Sequence, residues 1–484
     1  MMKKPLRKTE RGQAIILIAF AMIGLIGIVG LMTDGGILLI EYARLKRGID
    51  AAAIASAQQF RRGFDAADLY SAAEGFLILN QSTADNIVVW RCKQNPSAVD
   101  GTEHDPELCT VPLRKLVRVD AERTVDFGFM RVLGFNSTVI HASSVSEAAS
   151  LDLVLVFDTS SSMSFETNPA GDPNRVDADD GTNPSENPAV CNYSGTDPCQ
   201  PMHDIIDVAL AFINGTIFFP YDRIAVVATT SQTAGGAWNP IPVTTLPFSD
   251  DEADVVAAIT SLRVLEPPAC NTNPAYGSCI NYDGGGNFIG FDAPHFRTTG
   301  DPTTFQSSNI GGALYQAGVE FSTPPIREDS FWVVILLAGG PANATNPVAG
   351  YPLGICPDYT WPINQASPIT HPPCRDALAS TRHTDTNVNY DADDYARDAA
   401  DFLANPVTGM GVTVFTIGLG DLVVSAPLGD ADAGEKLFEY IAETAGDESG
   451  VTVNHGAYFF APDTSGLDEI FSLIADNIFT RLTK

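Results

Sequence analysis

The stretch Leu151 to Met163, LDLVLVFDTSSSM, decides how the rest of the chain is read. Leu151–Phe157 is almost continuously apolar, the pattern of a parallel strand buried on both faces. It stops at a carboxylate, Asp158, with hydroxyls two and four positions further on, Ser160 and Ser162. On a tight turn after a parallel strand these side chains can aim three oxygens at one point. Hard divalent cations take oxygen ligands, and Mg²⁺ prefers near-octahedral geometry with several waters retained. A Ser-rich turn would carry the same letters, so the flanking sequence has to decide.

Downstream, apolar runs and helical patterns alternate. His203–Ile213 is amphipathic, with Ile206, Ala209, Leu210 and Ile213 expected on one face, and Tyr221–Ser231 reads as a strand. Ser249 stands three residues before Glu252, a capping box opening a helix. Ile310–Phe321 reads as a helix, Ser330–Gly340 as a strand, Tyr395–Ala404 as a helix and Gly411–Gly420 as a strand. A helix from Gly434, a strand in Ala457–Pro462 and a closing helix from Thr464 complete the series. This alternation predicts an α/β fold with a doubly wound, mostly parallel sheet and a ligand site at the C-terminal ends of its strands. Three polar stretches interrupt it, Glu166–Gln200, Gly235–Phe305 (apart from its helix) and Ala342–Asn389, and loops of that length are usually functional or partly disordered. Asp283-Gly-Gly-Gly286 reads as a turn. Asp391, Asp393 and Asp394 suit the positive end of the following helix, with a cation loop as the alternative. Asp177, Asp179 and Asp180 lack the glycine spacing of an EF-hand.

The eight cysteines form four couples along the chain: Cys92 with Cys109, Cys191 with Cys199, Cys270 with Cys279, and Cys356 with Cys374. Each couple lies in its own polar stretch, and no C-x₂-C zinc spacing occurs, so sequential disulfides are expected, and with them an oxidising compartment. The N-terminus agrees. Ala14–Met32 holds no charge and as a helix would cover roughly 28 Å, close to a hydrocarbon core of about 30 Å. Five basic residues precede it and three follow within the next helix, which predicts a cytoplasmic N-terminus and an extracytoplasmic body. Glu41–Gly63 continues as an Ala-rich helix and Ala66–Asn80 as another. A loop with Cys92 and Cys109 comes next, then a strand in Leu113–Phe127, a short helix and a second strand from Ser137. The expected organisation is a basic N-terminus at 1–12, a transmembrane helix at 13–40, a small α+β membrane-proximal module at 41–149 and the α/β domain at 150–484.

Of 484 residues 45% are hydrophobic, enough to exclude wholesale disorder, and the formal charge of −31 argues against nucleic-acid binding. There is no G-x-x-x-x-G-K-[ST], H-E-x-x-H or G-x-S-x-G, and the seven histidines share no spacing, so no enzyme is expected. A hydrolase built on Asp158 and a neighbouring Ser would lack a base and an oxyanion arrangement.

Two resemblances sharpen these expectations. RGQAIILIAFAMIGLIGIVGLMTDGGILLIEYARLKRGIDAAAIASAQ, from Arg11 to Gln58, resembles the N-terminal segment of the TadG-like family of Flp (tight-adherence) pilus assembly: a charged start, an apolar span, a D-x-G at Asp34, then an Arg-bearing, Ala-rich helix. VRVDAERTVDFGFMRVLGFNSTVIHASSVSEA resembles the strand, short helix and strand that follow there, extending the likeness over about 11–149. TadE-type relatives are cleaved like pilins, with Glu five residues after the cleaved Gly; Gly12 would be that Gly and Leu17 stands at the fifth position, which favours a retained anchor. From Leu151 onward the D-x-S-x-S-M strand end, the SSNIGGAL helix start and the VVILLAGG and VFTIGLG strands resemble a von Willebrand factor A (VWA) domain with insertions. That resemblance implies a metal-ion-dependent adhesion site (MIDAS) with Asp158, Ser160 and Ser162 as first-loop ligands and Ser308 from the second loop. The family's third-loop T-D-G falls on Ala338-Gly339-Gly340, so a carboxylate is missing at Gly339; water or an acidic residue such as Asp292 or Asp301 would have to stand in.

Together these imply a single-pass cell-membrane protein of Flp pilus assembly or adhesion, binding Mg²⁺ (or Ca²⁺ or Mn²⁺) and, through the ion, a carboxylate of a protein partner such as a pilus or secretion-system component. The alternatives are a pilin-like structural subunit of the filament and a VWA interaction protein that works without metal.

Overall fold

The computed structural model describes residues 11–60, 66–165, 186–230, 241–266, 279–285, 288–292, 308–346, 381–387, 390–425, 430 and 432–482. The chain divides into two compact units, Met1–Ala148 and Ala149–Lys484.

In the first unit α1 (Arg11–Gln58) is one helix of 48 residues without a proline. Its two halves differ in what they bury. Ile15, Phe20, Ile26 and Met32 are exposed, whereas Leu45, Ile49, Ala52 and Ala53 recur at helical spacing and are fully buried. The helix is long and apolar enough to cross a membrane. α2 (Ala66–Leu79) turns Leu69, Ala73 and Leu77 inward. The sheet has the order β2-β1-β3-β4, with β1 (Asn86–Arg91), β2 (Glu103–His104), β3 (Lys115–Asp126) and β4 (Ser137–Ala148). β3 and β4 form a long antiparallel hairpin whose tip carries a 3₁₀ turn, Met130–Leu133. Gly134 ends that turn at φ 94°, a conformation glycine adopts without steric cost. Cys92 and Cys109 are bridged. β1 falls where the sequence suggested only a loop; of its side chains Val89 alone is fully buried, so the strand shows no clean alternation.

The second unit is the expected doubly wound sheet, in the order β12-β11-β10-β5-β6-β7. Its strands are β5 (Leu151–Phe157), β6 (Arg223–Ala228), β7 (Val243–Ser249), β10 (Phe331–Ala338), β11 (Thr413–Leu419) and β12 (Tyr458–Ala461). All pairs are parallel except β6–β7. β8 (Cys279–Tyr282) and β9 (Phe288–Asp292) form a separate hairpin around the expected turn, where Gly285 N donates to Asp283 Oδ1. Side-chain alternation along β5 feeds two cores. Leu151, Leu153, Leu155 and Phe157 pack beneath α4 (Met202–Thr216), α5 (Glu252–Thr260) and α10 (Leu467–Leu482). Val154 and Val156 pack beneath α6 (Ile310–Ser322), α7 (Ala392–Ala404) and α9 (Ala433–Glu443). Short helices α3 (Pro188–Cys191) and α8 (Asp421–Val424) lie between these elements. α3 supplies Cys191, bridged to Cys199; the couples Cys270–Cys279 and Cys356–Cys374 involve residues outside those described.

Three expectations need correcting. α4 buries Met202, Ile205, Ala209, Phe212, Ile213 and Thr216, leaving Ile206 and Leu210 only partly covered, because the core reaches it one position round from the face assigned by pattern. α5 is capped by Asp251, whose side chain accepts from Ala253 N (2.8 Å), while Ser249 accepts from Asp251 N instead (3.1 Å). β7 runs through a stretch read as loop; Pro247 is tolerated because β7 is an edge strand.

At the N-terminal edge of the sheet Asp152 is 1% exposed and sits between two arginines. Arg223 donates from Nη2 (2.6 Å) and Nε (3.1 Å), Arg327 from Nε (3.0 Å) and Nη2, and Ser330 Oγ adds a bond of 2.9 Å. Burial opposes ionisation of Asp152, but the arginine hydrogen bonds and charges outweigh it and hold the carboxyl below the usual carboxylate range.

Candidate metal centre

The opposite edge of β5 is built differently. From β5 the chain adds β6 and β7 on one side and β10 to β12 on the other, so the strand order reverses between β5 and β10 and the crevice beyond their C-terminal ends is a topological switch point. Asp158 N donates to Leu337 O (2.9 Å), which extends the parallel ladder by one residue and fixes the aspartate at the mouth of that crevice. Its Oδ1 accepts from Ser160 N (3.0 Å) and Thr229 Oγ1 (2.9 Å), and its Oδ2 accepts from Ser308 Oγ (2.9 Å). Ser160 Oγ lies 2.9 Å from Ser162 Oγ and 3.3 Å from Ser308 Oγ. The four residues named from sequence therefore converge: one carboxylate and three hydroxyls in a single cluster. Asp158, Ser160 and Ser308 are buried and Ser162 is partly exposed, so the cluster opens toward solvent at Ser162.

Each member is held from outside the motif. Ser160 adopts extended backbone (φ −63°, ψ 166°) and starts the 3₁₀ turn Ser161–Ser164. Thr229 and Thr230, just past β6, tie the loop down: Thr159 N donates to Thr229 Oγ1 (3.0 Å), and Thr159 Oγ1 lies 2.8 Å from Thr230 Oγ1. Ser308 N donates to Asn343 Oδ1 (2.9 Å), and Asn309 Nδ2 donates to Asn346 Oδ1 (2.8 Å). Asn309 also caps α6 by accepting from Gly312 N (2.9 Å). A Cβ on Gly312 would stand 2.4 Å from Asn346 Oδ1, which accounts for glycine there. Sequence reading missed Thr229, Asn343 and Asn346; paired threonines ending the neighbouring parallel strand were the available signal for the first.

Asp158 is fully buried, and among the described residues no Lys, Arg or His forms an ion pair with it. Burial pushes its carboxyl above the usual carboxylate range, against hydrogen bonds from Ser160, Ser308 and Thr229 that favour the charged form. Four convergent oxygens, one of them anionic, around a buried charge that no described side chain balances fit a hard divalent cation.

Position 339 is where the third loop meets this cluster. A Cβ at Gly339 would stand 3.7 Å from Ser162 Oγ and 2.4 Å from Met163 Cε. The methyl of Met163, which is 1% exposed, thus fills the room a third-loop side chain would need. The side chains of Asp292 and Asp301 lie outside the described residues, as do Asp177, Asp179 and Asp180.

Asp391, Asp393 and Asp394 bring carboxylate oxygens within 4.8 Å of one another. Their hydrogen bonds account for the cluster. Asp391 caps α7 by accepting from Asp393 N (3.0 Å) and Asp394 N (3.2 Å), and Asp394 reciprocates toward Asp391 N as a capping box. Asp394 accepts from His383 N (2.8 Å), and Asp393 accepts from Arg397 Nε (2.7 Å).

No family model matches the chain, and no curated protein matches it. Among solved structures it is similar to the PilB minor pilin from Streptococcus sanguinis (14% identity, 82% of this chain and 79% of that one, TM-score 0.35). It is also similar to the vWF domain of the type V pili tip protein Mfa5 from Porphyromonas gingivalis (15% identity, 70% and 98%, TM-score 0.36). A third is proximal thread matrix protein 1 from the mussel byssus, described with a zinc-occupied MIDAS motif (13% identity, 69% and 46%, TM-score 0.31), of which this chain spans about half.

Proposed function

We propose that this is a membrane-anchored VWA-type protein of pilus assembly or adhesion, which binds a divalent cation at Asp158, Ser160, Ser162 and Ser308 and a partner's carboxylate through it. The observation that carries this reading is the Asp158 carboxylate, buried at the switch point among hydroxyls, with no cationic side chain among the described residues to balance it. When bound, the ion supplies positive charge and an open coordination position for an anionic oxygen of the partner. The chain's own residues do the rest. Asp158 contributes the anionic ligand, the three serines contribute neutral oxygens, and Thr229, Asn343 and Asn346 hold the loops in place. Mg²⁺ is the ion this all-oxygen set suits best, with Ca²⁺ and Mn²⁺ as competitors. In this reading α1 crosses the cytoplasmic membrane, with its N-terminus inside and the second unit outside, and no covalent chemistry is involved.

The test is made in the cell that produces the protein. Asp158→Asn on the chromosome is expected to reduce surface pili or attachment to the level seen with chelator, and chelator is then expected to have no further effect. Wild-type attachment that ignores both chelator and the substitution would defeat the proposal.

A second reading has one observation in its favour: α1 is a single helix whose first half is apolar and exposed, the form a filament-packing helix would take. It requires cleavage after Gly12. The intact mass of the purified protein separates the two, since an uncut N-terminus removes the pilin-like subunit.

A further inference from the structure

The hairpin tip between β3 and β4 is apolar and exposed, although it sits against α1, a helix long and apolar enough to cross a membrane. Phe129, Val132 and Phe135 are 47%, 86% and 59% exposed. The tip is tied to α1 at a definite height. Both oxygens of Asp34, a residue 2% exposed, take up the tip's backbone N–H groups: Gly128 N at 2.9 Å, Phe129 N at 3.0 Å and Met130 N at 2.6 Å. One turn earlier, a Cβ on Gly30 would stand 2.8 Å from Phe129 Cβ, so glycine is what lets the hairpin approach the helix. The exposed apolar side of α1 runs from Ile15 to Met32, about 27 Å at 1.5 Å per residue, close to the roughly 30 Å of a hydrocarbon core. Gly30 is therefore only about 3 Å inside the end of that span. Phe129 is fixed at that level, where headgroups meet acyl chains; Val132 N donates to Phe129 O (3.0 Å) and Phe135 N to Met130 O (3.1 Å), which keeps both residues in the same turn, and Arg131, half exposed beside Asp126 (3.2 Å), is long enough to reach lipid phosphates.

We propose that the hairpin tip is a second membrane contact: Phe129, Val132 and Phe135 enter the interfacial layer of the bilayer that α1 crosses, on the side where the rest of the chain lies. This rests on the reading of α1 as an anchor. Its consequence is that the first unit is held at two points, which restrains rotation of the helix about its own axis. The exposed apolar stretch of α1, Ile15 to Met32, ends within a turn of the points where the tip attaches, Gly30 and Asp34, which is the reason for assigning the tip to lipid and not to a protein partner.

The test uses the full chain reconstituted in phosphatidylcholine–phosphatidylglycerol vesicles. Single cysteines at Ile26, Val132, Phe135 and Val99 are labelled with the fluorophore NBD under oxidising conditions and quenched by nitroxide lipids with shallow or deep spin labels. Val99, 102% exposed in the β1–β2 loop, is the aqueous reference. Labels at Val132 and Phe135 are expected to emit to the blue of the Val99 label and to lose emission to shallow nitroxide, while Ile26 loses emission to deep nitroxide. If Ile26 is quenched but Val132 and Phe135 are not, the tip contact is refuted and the anchor stands. A blue-shifted tip label without lipid quenching means a protein surface covers it, which also refutes the contact. No quenching at Ile26 removes the anchor and the inference with it.

Discussion

Strand β5 carries a buried aspartate near each end, and the two are treated in opposite ways. Asp152 is wedged between Arg223 and Arg327, and its charge is balanced from within the chain. Asp158, six positions on and just as buried, meets hydroxyls and one backbone N–H. Bringing an unbalanced carboxylate into a protein interior costs several kcal/mol unless something compensates. The first arrangement is that of a structural ion pair. In the proposed function the second keeps a charge available to an ion that comes from outside. A proton would satisfy Asp158 in solution, and a divalent cation would satisfy it together with the three serine oxygens gathered at 2.9 to 3.3 Å.

The comparison breaks most visibly if the two aspartates are removed in turn. Asp152→Ala strands two buried guanidiniums and is expected to cost about 3–5 kcal/mol, read from chemical denaturation of the full chain in detergent. Asp158→Asn, measured in chelator, is expected to cost nothing or to stabilise, because it deletes a charge that no described side chain balances. Equal losses at both positions would erase the distinction.

Stability against pH sharpens the same contrast. The Asp152 carboxyl lies below its ordinary 3.8, so its contribution is present above that value and is lost as pH falls through the lowered one. The Asp158 carboxyl is raised by burial, so in chelator its contribution is present below 3.8 and is lost as pH rises through the raised value. Asp152→Asn should therefore flatten the acid limb, and Asp158→Asn the limb toward neutrality. Denaturation midpoints across pH 3 to 8, roughly, would show it.

Position 339 offers a gain in affinity. Gly339→Asp adds an anion beside Ser162, and the Met163 methyl is the flexible end of its side chain and can move aside. We expect Mg²⁺ to bind roughly tenfold more tightly, about 1.4 kcal/mol, by calorimetry. The smallest effect is expected from Thr229→Ala, which removes the hydroxyl bond to Asp158 together with the acceptor of Thr159 N. Its cost should be about 1 kcal/mol in apo stability, with a matching loosening of the first loop.

Much of the second unit was readable because its elements are long and periodic. LDLVLVF, VVILL and VFTIGL bury both faces, and helices such as Ile310–Ser322 alternate with them. The convergence of Asp158, Ser160 and Ser162 follows from their spacing on one turn, and Ser308 joins because it immediately precedes the α6 N-cap. What escaped reading depends on chain neighbours distant in sequence. Thr229 reaches Asp158 across 71 positions, Asn343 reaches Ser308 across 35 and Asp34 reaches Gly128 across 94. No local pattern encodes those contacts. β7 was hidden by Pro247, which removes a ladder donor and is acceptable only because the strand lies at the edge.

The central claim is that the charge at Asp158 is reserved for a divalent ion. Its most direct test is thermal unfolding of the oxidised full chain in detergent, in EDTA and then in millimolar Mg²⁺, Ca²⁺ or Mn²⁺, for wild type and Asp158→Asn. An ion at 100 times its dissociation constant stabilises by about 2.7 kcal/mol, so we predict that the second unit's transition in wild type rises by a few degrees. The substituted protein should not respond. Identical transitions with and without every ion, or an equal shift in Asp158→Asn, would contradict the account.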